Sequence, residues 1–223
     1  MKFFKISIAA ILIGALLVLG SCSSMNKTQK GAVVGTTAGG AMGAVIGKST
    51  GNTAMGAIIG ATVGGTAGAI IGNKMDKQAE EIKTAVPDAE VLRVGEGIMV
   101  EFSSNVLFAF GKSSLSNEAQ RNLDKLVKVL NTYPDTDIEV QGHTDNVGSE
   151  SFNQTLSEQR ALTVSRYLAD KGINHNRLSI IGFGEMLPKY LNDTDENREK
   201  NRRVEFMITA NEKMKADAEK QAG

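Results

Sequence analysis

An arginine stands on the apolar side of a helix-like segment. At 100° per residue from Leu156, the residues Tyr167, Val164, Leu168 and Ala161 fall at about 20°, 80°, 120° and 140°, and Arg160 falls among them at about 40°. Arg166, at about 280° on the same wheel, sits where a solvated arginine belongs. A guanidinium brought toward a core must be paired or hydrogen-bonded, because an uncompensated buried charge is strongly unfavourable. Arg160 therefore calls for an anion, unless its stem snorkels to a rim or it pairs with a structural carboxylate. The nearest loop in sequence runs Gly142-His143-Thr144-Asp145-Asn146-Val147-Gly148. It offers a fixed negative charge in Asp145. Thr144 and Asn153 add hydrogen-bonding groups, and the following helix start adds unpaired N–H groups for a carboxylate. With Arg160 this makes a site for a ligand carrying both an ammonium and a carboxylate, such as the zwitterionic end of an amino acid.

The same residues argue against catalysis. His143 and Asp145 are two apart on a loop, and the sequence has no nucleophile elbow of G-x-S-x-G form. His143 reads as a strand-end residue that orders Asp145, and the chain is not expected to be an enzyme. His143 and His175 are the two histidines and lie far apart, so no metal site is expected. Asp193, Asp195 and Asn197 imitate the start of a calcium loop, but Arg198 stands at position six and Val204 at position twelve. No cofactor is expected.

The elements that must hold this site are readable from periodicity. Glu90–Val94 and Ile98–Phe102 read as strands joined at Gly95-Glu96-Gly97. Asn117–Leu130 reads as a helix capped by Ser116, with Ala119, Leu123, Leu126, Val127 and Leu130 on one uncharged arc. Asp137–Gln141 is a strand with Ile138 and Val140 facing inward, and a loop from Gly142 to Ser151 leads to a helix from about Asn153 to Asp170, ended by Gly172. Leu178–Ile181 and Arg203–Ile208 supply further strands, giving a β-α-β-α-β order. The loop leaves the C-terminal end of a strand, where α/β architectures commonly place ligands.

Gly142-His143-Thr144-Asp145, Gly148, Asn153, Leu156-Ser157, Arg160-Ala161, Val164, Tyr167-Leu168, Gly172, Gly182-Phe183-Gly184-Glu185, Pro188 and Asn201-Arg202-Arg203-Val204-Glu205 resemble the signature of the OmpA-like peptidoglycan-binding domain. The resemblance covers about residues 98 to 210. It implies an α+β fold, a sandwich of helices on a mixed sheet, and noncovalent binding of peptidoglycan stem-peptide diaminopimelate. Asp145 would hold the amino group and Arg160 the carboxylate, with Thr144, Asn153 and loop amides completing the site. Arg203, in the Asn-Arg-Arg-Val motif, would support it, although Arg202 and Arg203 also fit a structural, strand-face reading.

The segments before residue 88 are of other kinds. Lys2 and Lys5 followed by an apolar run from Ile6 to Gly20 read as a signal peptide over 1–21, the run being shorter than the ~20 residues a spanning helix needs. Leu19-Gly20-Ser21-Cys22 resembles the lipobox of bacterial lipoproteins, so Cys22, the one Cys of the chain, is the expected lipidation site at the head of a linker, 22–30.

Of the 24 glycines, 13 lie between Gly31 and Gly72, and 11 of these are spaced four apart in two runs, 31 to 51 and 56 to 72. Period-four glycine on an Ala, Val, Ile and Met background reads as a glycine-zipper helical hairpin over 31–73 that associates with membrane or with other copies, making a homo-oligomer. A polar helical linker, 74–87, precedes the wall-binding domain at 88–210, and 211–223 reads as a charged tail.

The chain balances 25 Lys and Arg against 25 Asp and Glu, which argues against a nucleic-acid binder. The reading is an outer-membrane lipoprotein whose C-terminal domain lies in the periplasm and ties the membrane to peptidoglycan. The rival is a glycine-zipper membrane assembly or pore protein that the same domain merely anchors.

Overall fold

The computed structural model describes residues 65–109 and 112–223. The expected signal peptide, Cys22 and the glycine ladder up to residue 64 lie outside the described residues. In chain order the elements are α1 (Gly65–Ala85), β1 (Glu90–Val94), β2 (Gly97–Ser103), α2 (Ser104–Leu107), α3 (Asn117–Thr132), β3 (Thr136–Gly142), α4 (Glu150–Asp170), a 3-10 turn (His175–Arg177), β4 (Leu178–Gly182), α5 (Asp195–Asn201), β5 (Arg203–Ala210) and α6 (Glu212–Ala222). The five strands form one mixed sheet in the order β1-β2-β5-β3-β4, antiparallel except for the β3–β4 pair.

The local signals explain the elements. Gly95, at φ 58°, opens the tight β1–β2 turn, a conformation that costs a residue without a Cβ nothing. The Ser116 side chain accepts from Ala119 N and starts α3, whose expected arc is buried. Helix α4 begins three residues before its sequence-based start, because Ser149 accepts from Phe152 N and Glu150 lies in the first turn. Gly172, at φ 95°, follows its end.

One face of the sheet carries the core. Ile98, Val100 and Phe102 of β2, Val204, Phe206 and Ile208 of β5, and Ile138 and Val140 of β3 meet Leu123, Leu126 and Leu130 of α3 and Val164 and Leu168 of α4 in one buried cluster. Phe102 and Phe206 meet edge to face with centroids 5.6 Å apart. On the reverse face the register places Glu90, Glu101, Glu205 and Gln141 in a row across four strands. Lys189 bonds Glu90 and Glu101 in that row at 3.2 and 2.9 Å.

The boundary expected at 73/74 does not divide the structure. Helix α1 runs from within the glycine ladder to Ala85, with Ala67, Ile71, Met75, Ala79 and Ile82 in the main core cluster. The stretch read as a polar helical linker is the C-terminal part of this helix, with Met75, Gln78, Ala79 and Ile82 buried. The charged tail is helix α6, which buries Met214 and Ala218 and packs against α1.

Candidate functional site

The loop after β3 is pinned by its backbone. His143 N donates to Arg203 O at 3.0 Å and Thr144 N to Gly184 O at 2.8 Å, while Gly142 O accepts from Phe183 N at 2.9 Å. Helix α4 can come this close because two strand ends are glycine. A Cβ on Gly142 would stand 2.1 Å from Ser157 O, and one on Gly182 would stand 2.4 Å from Glu158 Cγ. Ser157 Oγ then accepts from Gly184 N at 2.9 Å, joining α4 to the loop after β4.

Asp145 is buried with one oxygen turned back on its own loop: Oδ1 accepts from Val147 N at 3.1 Å. Its Oδ2 accepts from Arg202 Nη1 at 2.5 Å. Thr144 and Asn153 both hold the Asp145 backbone carbonyl, Thr144 Oγ1 donating to it at 2.9 Å and Asn153 Nδ2 at 3.2 Å. Asn153 is itself fixed by Glu185, whose Oε2 accepts from Nδ2 at 2.6 Å. The two polar residues therefore aim the carboxylate through its main chain.

Arg160 is 4% exposed and forms no ion pair with any described residue at 4.0 Å or less. Its Nε donates to Lys112 O at 3.1 Å, its Nη1 to Ser104 Oγ at 3.5 Å, and its guanidinium lies 5.2 Å from the Phe108 ring centre. Burial and the neighbouring Arg202 depress its pKa, and Asp145 opposes them. It is a cation with neutral partners and donors to spare.

Asp145, Thr144, Asn153 and Arg160 line one cavity of about 560 Å³. Its second wall is the charged side of α5, with Arg198 paired to Asp195, and Arg202 just past the helix end. Val147, Phe152 and Leu156 make an apolar wall, and Val147 and Phe152 are 63% and 55% exposed.

The structure leaves Arg203 outside this cavity. Arg203 is 4% exposed on the reverse face of the sheet, where Nε donates to Glu205 Oε1 at 2.6 Å and lies 3.8 Å from Glu101. Strand alternation is the reason: Arg203 shares a face with Glu205, whereas Arg202, one residue earlier, goes to the side of Val204 and Phe206 and reaches Asp145. His143 also departs from expectation. It has no bond to the Asp145 side chain, is fully buried, and stacks on Phe183 with centroids 5.2 Å apart. Its Nε2 stands 3.8 Å from Glu205 Oε1, yet burial, aided by Arg203, holds its pKa well below the ordinary 6.5.

Comparison with known proteins places this geometry. The OmpA family model matches residues 107–202, and a YMGG-like Gly-zipper model matches residues 1–76. The chain is 32% identical over 211 residues to a protein of Escherichia coli K12 described as "Probable lipoprotein YiaD", a match covering 91% of this chain and 96% of that one. The chain belongs to the OmpA family. Another OmpA-family relative, the outer membrane protein A of Bordetella avium, is 39% identical over 114 residues, 51% of this chain, and the chain spans only 59% of its length.

Two solved structures share the fold. A MotB-like protein of Desulfovibrio vulgaris has a TM-score of 0.59 at 29% identity, over 63% of this chain and 93% of that one. The cell wall anchor of the T6SS from Pseudomonas aeruginosa has a TM-score of 0.53 at 26% identity, over 61% and 96%. The OmpA match ends at Arg202 and begins at the end of α2, so α1, α6 and the β1–β2 hairpin lie outside it.

Proposed function

We propose that this OmpA-family chain is an outer-membrane lipoprotein, anchored through Cys22, that tethers the membrane to the cell wall by noncovalent binding of diaminopimelate on peptidoglycan stem peptides. The observation that carries the reading is Arg160: a buried guanidinium facing a cavity, with no acid of its own among the described residues, in the same cavity as Asp145. A ligand carboxylate would supply the missing partner, and a charge-assisted bidentate contact is among the stronger hydrogen-bonded pairs. The ligand's ammonium meets Asp145, which shares its charge with Arg202. Thr144 and Asn153 keep that carboxylate in place. The aliphatic stem behind the zwitterionic end runs along Val147, Phe152 and Leu156. The solved cell wall anchor with the same fold, and the lipoprotein relative that matches nearly end to end, support the reading.

Cosedimentation with purified diaminopimelate-type peptidoglycan tests it, using residues 65–223 so that α1 stays with its core. The wild-type domain should pellet with the wall, and Asp145→Ala and Arg160→Ala should remain in the supernatant. Truncating one partner of a desolvated charge contact costs about 2–5 kcal/mol, well within detection. Equal retention of all three would remove the site, and no retention of wild type would remove the function.

A further inference from the structure

The glycine ladder and the folded domain overlap. The second run, 56 to 72, has 17 residues, which as a helix would reach about 26 Å, near the ~30 Å of a bilayer's hydrocarbon core. Residues Gly65–Gly72 of that run are the first two turns of α1. Ala67 and Ile71 are 5% and 0% exposed and belong to the same buried cluster as Ile98, Leu126 and Phe206. They continue the stripe of Met75 and Ile82 that packs toward α3, α6 and β1.

Polar contacts also tie the same helix to β1 and to the end of α3. Arg93 of β1 bonds Asp76 at 2.8 Å, and Tyr133 donates to Glu81 at 2.6 Å. Gly65 has φ 79°, so helical backbone does not run on through the first residue of α1. Among the described residues no helix is long and apolar enough to cross a membrane.

We propose that α1 is a clasp that holds the end of the glycine ladder in the aqueous domain, so that the second run does not cross a bilayer. The nine residues left to that run, 56–64, could reach only about 14 Å even if wholly helical, less than half the thickness to be crossed. Pulling 65–72 into lipid would strip Ala67 and Ile71 from the core. This excludes the two-armed spanning hairpin that the glycine spacing alone suggests, and it does so whatever ligand the wall-binding site takes.

Neighbouring residues on α1 give the test. Ile71 is fully buried, whereas a Cβ on Gly72 would meet nothing within 4 Å. The chain from residue 22 onward, with Cys22→Ser, carries a single introduced thiol as Ile71→Cys or Gly72→Cys. Each variant reacts with a membrane-impermeant maleimide, with and without phosphatidylethanolamine–phosphatidylglycerol vesicles that cosediment with the protein. Under the clasp, Gly72→Cys reacts freely and Ile71→Cys on the order of tenfold or more slowly, and vesicles leave both rates unchanged. Both thiols shielded by vesicles would show the run entering the bilayer. Both thiols reacting alike and fast would show the helix released into water. Either pattern overturns the proposal.

Discussion

Asp145 is paired with Arg202 at 2.5 Å, while Arg160, on the same cavity, is paired with no described carboxylate. The cavity therefore satisfies its acid from within and leaves Arg160 without an anion among the described residues. The two arginines differ in role. Arg202 holds the loop acid in place, and in the proposed function Arg160 takes the ligand's carboxylate.

Removing Arg202 should cost stability more than binding. Arg202→Ala leaves a nearly buried carboxylate with, among the described residues, a single loop N–H as partner, a loss of about 1–3 kcal/mol that urea denaturation would register. Retention on peptidoglycan should fall less than for Asp145→Ala, which removes the acid itself. A larger loss for Arg202→Ala would make Arg202 the principal ligand contact.

Arg160 should show the opposite balance. Arg160→Met replaces a buried cation whose partners among the described residues are all neutral by a flexible apolar side chain, an exchange that is often neutral or stabilising. The expected result is an unchanged or raised Tm together with lost peptidoglycan retention. A clear drop in Tm would instead make Arg160 a structural residue.

His143 sets an acid-side slope. Its folded pKa lies well below 6.5, so below that pH the unfolded chain binds a proton that the native chain does not, and stability falls by up to about 1.4 kcal/mol per pH unit. Glu101, raised by burial, works in the other direction, its contribution growing as pH falls toward the unfolded carboxylate range. In His143→Phe the loss of stability between pH 6.5 and 5 should be smaller than in wild type. Equal slopes in the two proteins would assign the acid sensitivity to another group.

Gln78 is a weak point in the clasp. It is fully buried in the α1 stripe between Met75 and Ile82, and neither its Nε2 nor its Oε1 has a partner among the described residues. Gln78→Leu should raise stability by about 1–3 kcal/mol, the cost of a buried amide without hydrogen bonds. A loss of stability on this change, followed by chemical denaturation, would show that the amide is satisfied in solution.

Much of the site was legible because it rests on short-range periodicity. A helical wheel isolates Arg160, and the Ser116 cap with the Ala119–Leu130 arc marks α3. Arg202 was within reach of the same reasoning: period-two alternation from Val204 and Phe206 puts it, and not Arg203, on the helix side of the sheet. His143 was harder, because its ring stacks on Phe183 and its backbone N–H bonds Arg203 O, 40 and 60 positions away. The α1 stripe was hidden by composition. Ile71, Met75, Gln78 and Ile82 keep helical spacing, but glycine-rich text gives way to charged text at Asn73 and Lys74, and a boundary drawn there cuts one helix in two. In α6 two apolar anchors, Met214 and Ala218, stand among charges, too few for a periodic signal without knowledge of the helix beside them.

Calorimetric titration of residues 65–223 with free meso-diaminopimelate and with lysine, which lacks the distal carboxylate, tests the central claim most directly. The account expects wild type to prefer diaminopimelate by on the order of tenfold or more, and Arg160→Met to lose that preference. Equal affinity of wild type for the two ligands, or a preference that survives Arg160→Met, would contradict it.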